Sequence, residues 1–378
     1  MSHHGSRTGQ TALRLEPNDS IARWIEKDMG PVQHYPALNR PMDPICSVCI
    51  ANYNGTRLLT DCLESILAQQ GDFSIEIIVH DDASTDDSVA WLREKYPQVE
   101  LLASTKNVGF CVGNNRMAAH ARGEFILLLN NDAALYPDAL STLLDTTRSQ
   151  SPPGILTMPQ YDWTTGTLVD RGCLLDLFYN PIPNLDPRRV DVAMAIGACL
   201  WLPRHLWHEL GGFPEWMESI AEDLYLCCLA RTRGIPVQTT IHSGFRHRLG
   251  ASFGGARIEG KNLKSSFRRR RLSERNKTFA LIIFTPTPAA WILLTIHLLV
   301  LLMEGVIVSL IRRDPHIFND IYANVPITLI RDQKVIRALR QQVKCSRRIS
   351  MLAYFNAFSL LPRKLMLFLH FGIPKIAK

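Results

Sequence analysis

The chain has 378 residues, 46% of them apolar and 20% charged, with a net charge of +7. That balance excludes a disordered or low-complexity polymer and fits one large globular domain with appendages. The positive excess is local: residues 261–278 carry eight Lys and Arg against one acid, Glu274, so the expected partner there is anionic, either phosphate groups or a lipid surface.

Residues 1–43 are polar and proline-containing, without the apolar core of a secretory signal, and read as an N-terminal extension. One short amphipathic helix is expected within it, over Ile21–Lys27, and the rest is turn-rich. From Ile45 to about Val169 the pattern alternates. Strands are expected at 46–51, 75–80, 99–103, 124–129 and 155–158, and helices at 57–70, 86–96, 112–121 and 137–149. Ser84-Thr85-Asp86-Asp87 offers a helix cap with acids in the first turn, and Pro137 suits a first helical turn. The alternation predicts an α/β fold, a mostly parallel sheet with helices on both faces.

The nine cysteines are odd in number and lack a repeating spacing, which argues against a disulfide framework and fits a reducing compartment. Cys46 and Cys49 fall inside the first apolar strand, where residues three apart face opposite sides, so both are expected to be buried and inert.

Residues 160–200, with Gly166, Gly172, Pro181, Pro183 and Pro187, are expected to form a loop over the site. A helix is expected at 203–210, stopped by Gly211-Gly212, and another from near Ala221 to Gly234. Beyond Gly260 the basic block gives way to 25 residues, Phe279 to Met303, without a Lys, Arg, Asp or Glu. Pro286 and Pro288 break this run, and Ala289 to Ile311 carries one charge, Glu304, over a length that can span hydrocarbon. Basic residues on both flanks fit an in-plane or re-entrant element as well as a single span. The expected division is an extension at 1–43, a globular domain at 44–260 and a basic, apolar, membrane-associating helical region at 261–378.

Three apolar strands end in polar runs: Asn52-Tyr53-Asn54-Gly55, Asp81-Asp82 and Asn130-Asn131-Asp132. In an open α/β sheet, ligands bind at the carboxyl ends of strands, so these runs predict one built site with Asp132 at its mouth. The glycines Gly109 and Gly113 flank Phe110 at a helix entry, where backbone N–H groups favour an anion. The chain lacks a Walker loop and a G-x-G-x-x-G fingerprint, which argues against a phosphate-loop enzyme and a dehydrogenase.

In order, Ser47 to Gly55, Ile77 to Asp86, Asn107 to Phe110, Gly113-Asn114-Asn115, Leu129 to Asp132, Gly211-Gly212-Phe213, Glu222-Asp223 and His247 followed by Ser252 resemble the family 2 glycosyltransferases with the GT-A fold. The subgroup they most resemble is the rhamnosyltransferase-like enzymes of bacterial cell-surface polysaccharide assembly. The resemblance implies an inverting transfer of a sugar from a nucleoside-diphosphate donor to a saccharide or lipid-linked saccharide, with a divalent cation, Mg or Mn, as cofactor. It implies Asp132 and His247 as metal ligands and Asp223 as the catalytic base. It places donor-binding groups at Asn52, Tyr53, Asn54, Asp81, Asp82, Gly109, Asn114, Asn130 and Asn131. The chain departs from the family at Tyr225, where a second acid is usual after Glu222-Asp223, and at Pro214. The basic and apolar end implies docking on the cytoplasmic face of a membrane, anionic lipid being favoured over nucleic acid. The alternatives are a sugar nucleotidyltransferase, disfavoured by the weakly basic turn at Asn52 to Arg57, and a non-catalytic membrane scaffold.

Overall fold

The computed structural model describes residues 28–250, 257–259, 262–372 and 375–377. The helix expected over Ile21–Lys27, and Ser252, lie outside them.

The strands up to residue 250 are β1 (Val32–Tyr35), β2 (Cys46–Asn52), β3 (Ile75–Asp81), β4 (Glu100–Ser104), β5 (Phe125–Asn130), β6 (Ala133–Leu135), β7 (Ile155–Thr157), β8 (Gln160–Asp162), β9 (Leu168–Asp170), β10 (Cys173–Asp176), β11 (Pro181–Pro183), β12 (Cys199–Pro203), β13 (Val237–Thr239) and β14 (Phe245–His247). The helices used below are α1 (Thr56–Leu67), α2 (Ser88–Lys95), α3 (Phe110–His120), α4 (Ala139–Ser149), α5 (Arg204–Leu210), α6 (Glu222–Thr232), α7 (Phe267–Phe284) and α8 (Ala289–Arg312).

The central sheet has the order β1-β4-β3-β2-β5-β12-β7-β13. Its β4-β3-β2-β5 half is parallel, so the polar ends of β2, β3 and β5 emerge on one edge. Strand β12 then runs antiparallel between β5 and β7. Alternation along each strand splits the core by face. Val48, Ile50, Ile77, Val79, Leu127 and Leu129 pack with α1, α2 and α4. Cys49, Ile78, Leu102, Ile126 and Leu128 pack with α3, α5, α6 and α7. Cys46 and Cys49 fall in opposite clusters, both buried and both free.

Two expectations are corrected. The turn-rich stretch before residue 43 supplies β1, an edge strand antiparallel to β4. Residues 160–200 are not a loop over the site. They contain β8 to β11 and lead into β12, and β8 and β9 join β6 and β14 in a second sheet of order β6-β14-β8-β9. Runs of three or four residues are too short for a period-two signal to stand out from turn chemistry.

Packing is continuous across residue 260. Phe279 to Phe284 of α7 lie in the same apolar cluster as Leu224 to Ala230 of α6. The next helix, α8, is the one helix among the described residues long and apolar enough to cross a membrane. It turns Ala290, His297, Leu301, Gly305 and Val308 inward and leaves Trp291, Ile296, Leu299, Met303, Ile307 and Leu310 exposed. Glu304 is neutralised on the inner side by Arg270 and by Lys364, whose Nζ lies 2.8 Å away.

Candidate active site

The site forms where the two sheets meet. β5 ends at Asn130, two residues turn, and β6 begins at Ala133. Strand β14 pairs antiparallel with β6 so that His247 sits opposite Ala133. That register brings His247 Nε2 to 3.0 Å from Asp132 Oδ1, 115 residues apart in sequence. The backbone N–H of Arg248 donates to the Asp132 carbonyl at 3.0 Å and locks the strand end in place. Asp132 is 1% exposed and His247 8%, so the pair is largely withdrawn from water. Among the described residues, the buried His247 Nδ1 has no hydrogen-bond partner.

Beside this pair, polar residues tie the strand ends to one another. Asn131 Nδ2 donates to Asn52 Oδ1 at 2.9 Å, and Asn52 Nδ2 donates to Asp81 Oδ2 at 2.9 Å. Asp81 also accepts from the Ser84 backbone and hydroxyl at 2.9 and 2.7 Å. The Asp82 carboxylate accepts the N–H groups of Val108 and Gly109 at 2.6 and 2.9 Å and so fixes the entry to α3. Burial raises its pKa above the usual carboxylate value, partly offset by those two bonds. Gly109 has φ of +89°, a conformation that excludes most side chains, and its missing Cβ leaves the loop room beside the Glu218 carbonyl.

Other expected donor residues take quieter positions. Asn54 Oδ1 accepts the Thr85 N–H at 2.7 Å and latches two loops together. Asn114 is buried and its Nδ2 donates to the Phe110 carbonyl one turn back. Asn130 is partly exposed at the strand end, and Tyr53 stands 49% exposed, open to stack on a planar ring. Arg248 does not project freely into the cleft, since it pairs with Asp61 at 2.6 Å and covers the Trp163 ring.

Asp223 reaches the same edge from the other side. Asn130 N–H bonds the Ala198 carbonyl, and the neighbouring Gly197 N–H donates to Asp223 Oδ2 at 2.9 Å. Asp223 is partly exposed, and burial pushes its pKa upward against the bonds from Gly197 and Leu224. Its neighbour Glu222 is buried, and burial followed by the Asp223 charge drives its pKa up as well. The Arg269 guanidinium from α7 acts electrostatically on both carboxylates and offsets part of this rise. An acid raised in this way is a stronger base at neutral pH than a free carboxylate.

Sequence reasoning missed what holds this acidic pair. The preceding loop carries three non-glycine residues at positive φ: Glu218, Ile220 and Ala221. Such residues persist only where the surroundings impose them. Here Asn276 of α7, fully buried, donates from Nδ2 toward the carbonyls of Met217, Ser219 and Ile220 at 3.1, 3.1 and 2.7 Å. Arg275 reaches the Trp216 carbonyl at 3.1 Å, and Arg268 pairs with Glu218 at 3.3 Å. The available signal was a lone Asn within a basic-then-apolar helix, and nothing local names its partners.

Residues 47–158 match the profile of the family described as Glycosyl transferase family 2, and this segment is a family 2 glycosyltransferase domain. The chain is similar to chondroitin synthase of Escherichia coli, 30% identical over 188 residues, 48% of this chain and 26% of that protein. It is similar to hyaluronan synthase of Pasteurella multocida, 24% identical over 200 residues, 48% of this chain and 18% of that protein. The chain thus matches only about a quarter or less of the length of these relatives. Among solved structures, GalNAc-T7 with UDP, GalNAc and Mn²⁺ aligns at a TM-score of 0.58 and 13% identity, over 88% of this chain and 59% of that one. The shared fold is GT-A.

Asn276→Ala removes a side chain that bridges three carbonyls of this loop; the Met217 carbonyl keeps the Ser219 N–H, while each buried carbonyl left without a donor costs about 1–3 kcal/mol. The expected outcome is a clear drop in thermal stability together with faster proteolytic cleavage within 215–221. An unchanged melting temperature and an unchanged cleavage pattern would contradict the clamp.

Proposed function

We propose that this chain transfers a sugar from a nucleoside-diphosphate donor to an acceptor hydroxyl with inversion at the anomeric carbon. The observation that carries the proposal is the convergence of Asp132–His247 and Asp223 on one sheet edge, at the end of a family 2 domain. The donor's nucleoside lies across the ends of β2 and β3, with Tyr53 against the base and the paired loops at Asp82 and Gly109 beside the ribose. The acceptor oxygen bonds to the anomeric carbon as the bond from that carbon to the phosphate oxygen breaks. The acceptor's proton passes to Asp223, and the diphosphate departs toward Asp132 and His247.

A carboxylate oxygen and the imidazole Nε2 side by side fit a divalent cation of the Mg or Mn type. Their 3.0 Å separation matches neighbouring ligands of an octahedral ion with bonds of about 2.1 Å. When bound, such an ion supplies positive charge to the leaving diphosphate. Asp132 and His247 would hold it. The raised pKa of Asp223 is supported by burial and explains how a carboxylate can serve as base at neutral pH.

We also propose a saccharide or lipid-linked saccharide as acceptor and rhamnose as the first donor sugar to try. The polysaccharide synthases named above support the acceptor class, and the sequence resemblance supports the sugar. The exposed apolar face of α8, with Arg312 and Arg313 at its end, supports docking on the cytoplasmic surface of a membrane.

A screen of nucleotide sugars with Mn²⁺ should release nucleoside diphosphate from one donor class, and Asp223→Asn should lower that rate by about 10²–10⁴-fold. Because the base works deprotonated and its pKa is raised, the acid limb of wild-type kcat/KM should lie above the ordinary carboxylate value of about 3.9 and vanish in the variant. Full activity in Asp223→Asn would remove the assigned base. For docking, the wild type should float with anionic vesicles while a Leu299→Glu, Met303→Glu double variant stays in the pellet fraction. Equal flotation of the two would remove α8 as the lipid contact.

A further inference from the structure

At the opposite end of the sheet from the donor crevice, three side chains converge that the transfer reaction does not use. Glu100 is the first residue of β4, His34 lies on the edge strand β1, and His120 is the last residue of α3. His34 Nε2 lies 3.0 Å from Glu100 Oε1, and His120 Nδ1 lies 3.6 Å from the same oxygen. The three ligand atoms all fall within 4.8 Å of one another. The other Glu100 oxygen is 2.8 Å from Arg40 Nη2, which turns Oε1 toward the imidazoles.

We propose that His34, Glu100 and His120 form a zinc site. Zinc takes nitrogen and oxygen ligands at about 2.0–2.2 Å, so neighbouring donors in a tetrahedron stand about 3.4 Å apart. The observed 3.0 and 3.6 Å bracket that spacing, and small imidazole rotations close the remainder. Two imidazoles and one carboxylate leave the fourth position for water. The arrangement allows it: the His34 and His120 side chains are 38% and 43% exposed while Glu100 is 1% exposed. The buried carboxylate is the fixed anchor, the imidazoles are the mobile arms, and Arg40 orients the anchor from behind, as outer-shell partners of metal ligands do.

The site joins parts of the chain far apart in sequence. It would fasten the edge strand β1 to the far end of α3, whose entry at Gly109 faces the donor crevice. Its role is a staple, separate from the cation proposed for transfer, and it does not rest on that reading. Asp132, beyond the carboxyl end of β5, and His247, on β14 of the second sheet, take no part in it.

The test uses the whole 378-residue chain stripped with chelator, and zinc itself as the probe. Metal content after dialysis and thermal unfolding with and without added Zn²⁺ are compared for the wild type, the His34→Ala, His120→Ala double variant and the milder His120→Gln. The wild type is expected to retain one zinc equivalent more than the double variant and to melt higher with zinc, while both variants lose that upward shift. The metal-free melting temperatures of His120→Gln and the wild type should agree, since this side chain is exposed and its only assigned task is the ligand. Equal zinc content in wild type and variants, or the same upward shift in all three, would overturn the site, as would an equal shift produced by Mg²⁺.

Discussion

The contact between Asp132 and His247 is the constraint on which the rest of the site depends. A carboxylate that is 1% exposed is expensive to bury without a partner of opposite or neutralisable charge. Here the partner arrives from 115 residues downstream, and only the β6–β14 register delivers it. A slip of one residue in β14 would send His247 to the other face of the second sheet and leave Asp132 facing Arg246 or Arg248 instead. Strand pairing far from any ligand therefore sets the chemistry available at the end of β5.

The acidic pair is governed by a different element. Glu222 and Asp223 open a helix, but their position is fixed by α7, which reaches the preceding loop through Arg268, Arg275 and Asn276. The same helix continues into the core through Phe279 to Phe284 and leads directly to the apolar face of α8. The element that a composition reading assigns to a membrane-facing appendage thus also supports the proposed base. The proposed lipid contact on α8 and residues 216–223 are linked through α7.

Much of the architecture was legible in the residues. β2, β3, β4 and β5 announced themselves because each is an apolar run bounded by turn chemistry, and α1 to α4 because their apolar residues recur at helical spacing. The strand-end motifs led to Asn52, Asp81, Asp82 and Asp132 because polar residues closing a buried strand have few other reasons to be there. What was not legible depends on distance in sequence. No pattern around Pro181 or Gly172 reveals that three-residue strands pair there. Nothing near Asn276 specifies three carbonyls some sixty residues upstream. Asn114 shows the converse limit: its place in a family motif suggested a ligand contact, while its side chain caps a carbonyl of its own helix.

The central claim is that Asp132 and His247 together create the place where the leaving diphosphate is neutralised by a cation. The most direct measurement is donor turnover in excess chelator and on restoration with Mn²⁺, for the wild type and for Asp132→Asn. The account predicts that chelation abolishes wild-type turnover, that Mn²⁺ restores it, and that Asp132→Asn stays inactive at Mn²⁺ concentrations that saturate the wild type. Turnover at the full rate in chelator, or in Asp132→Asn, would contradict it.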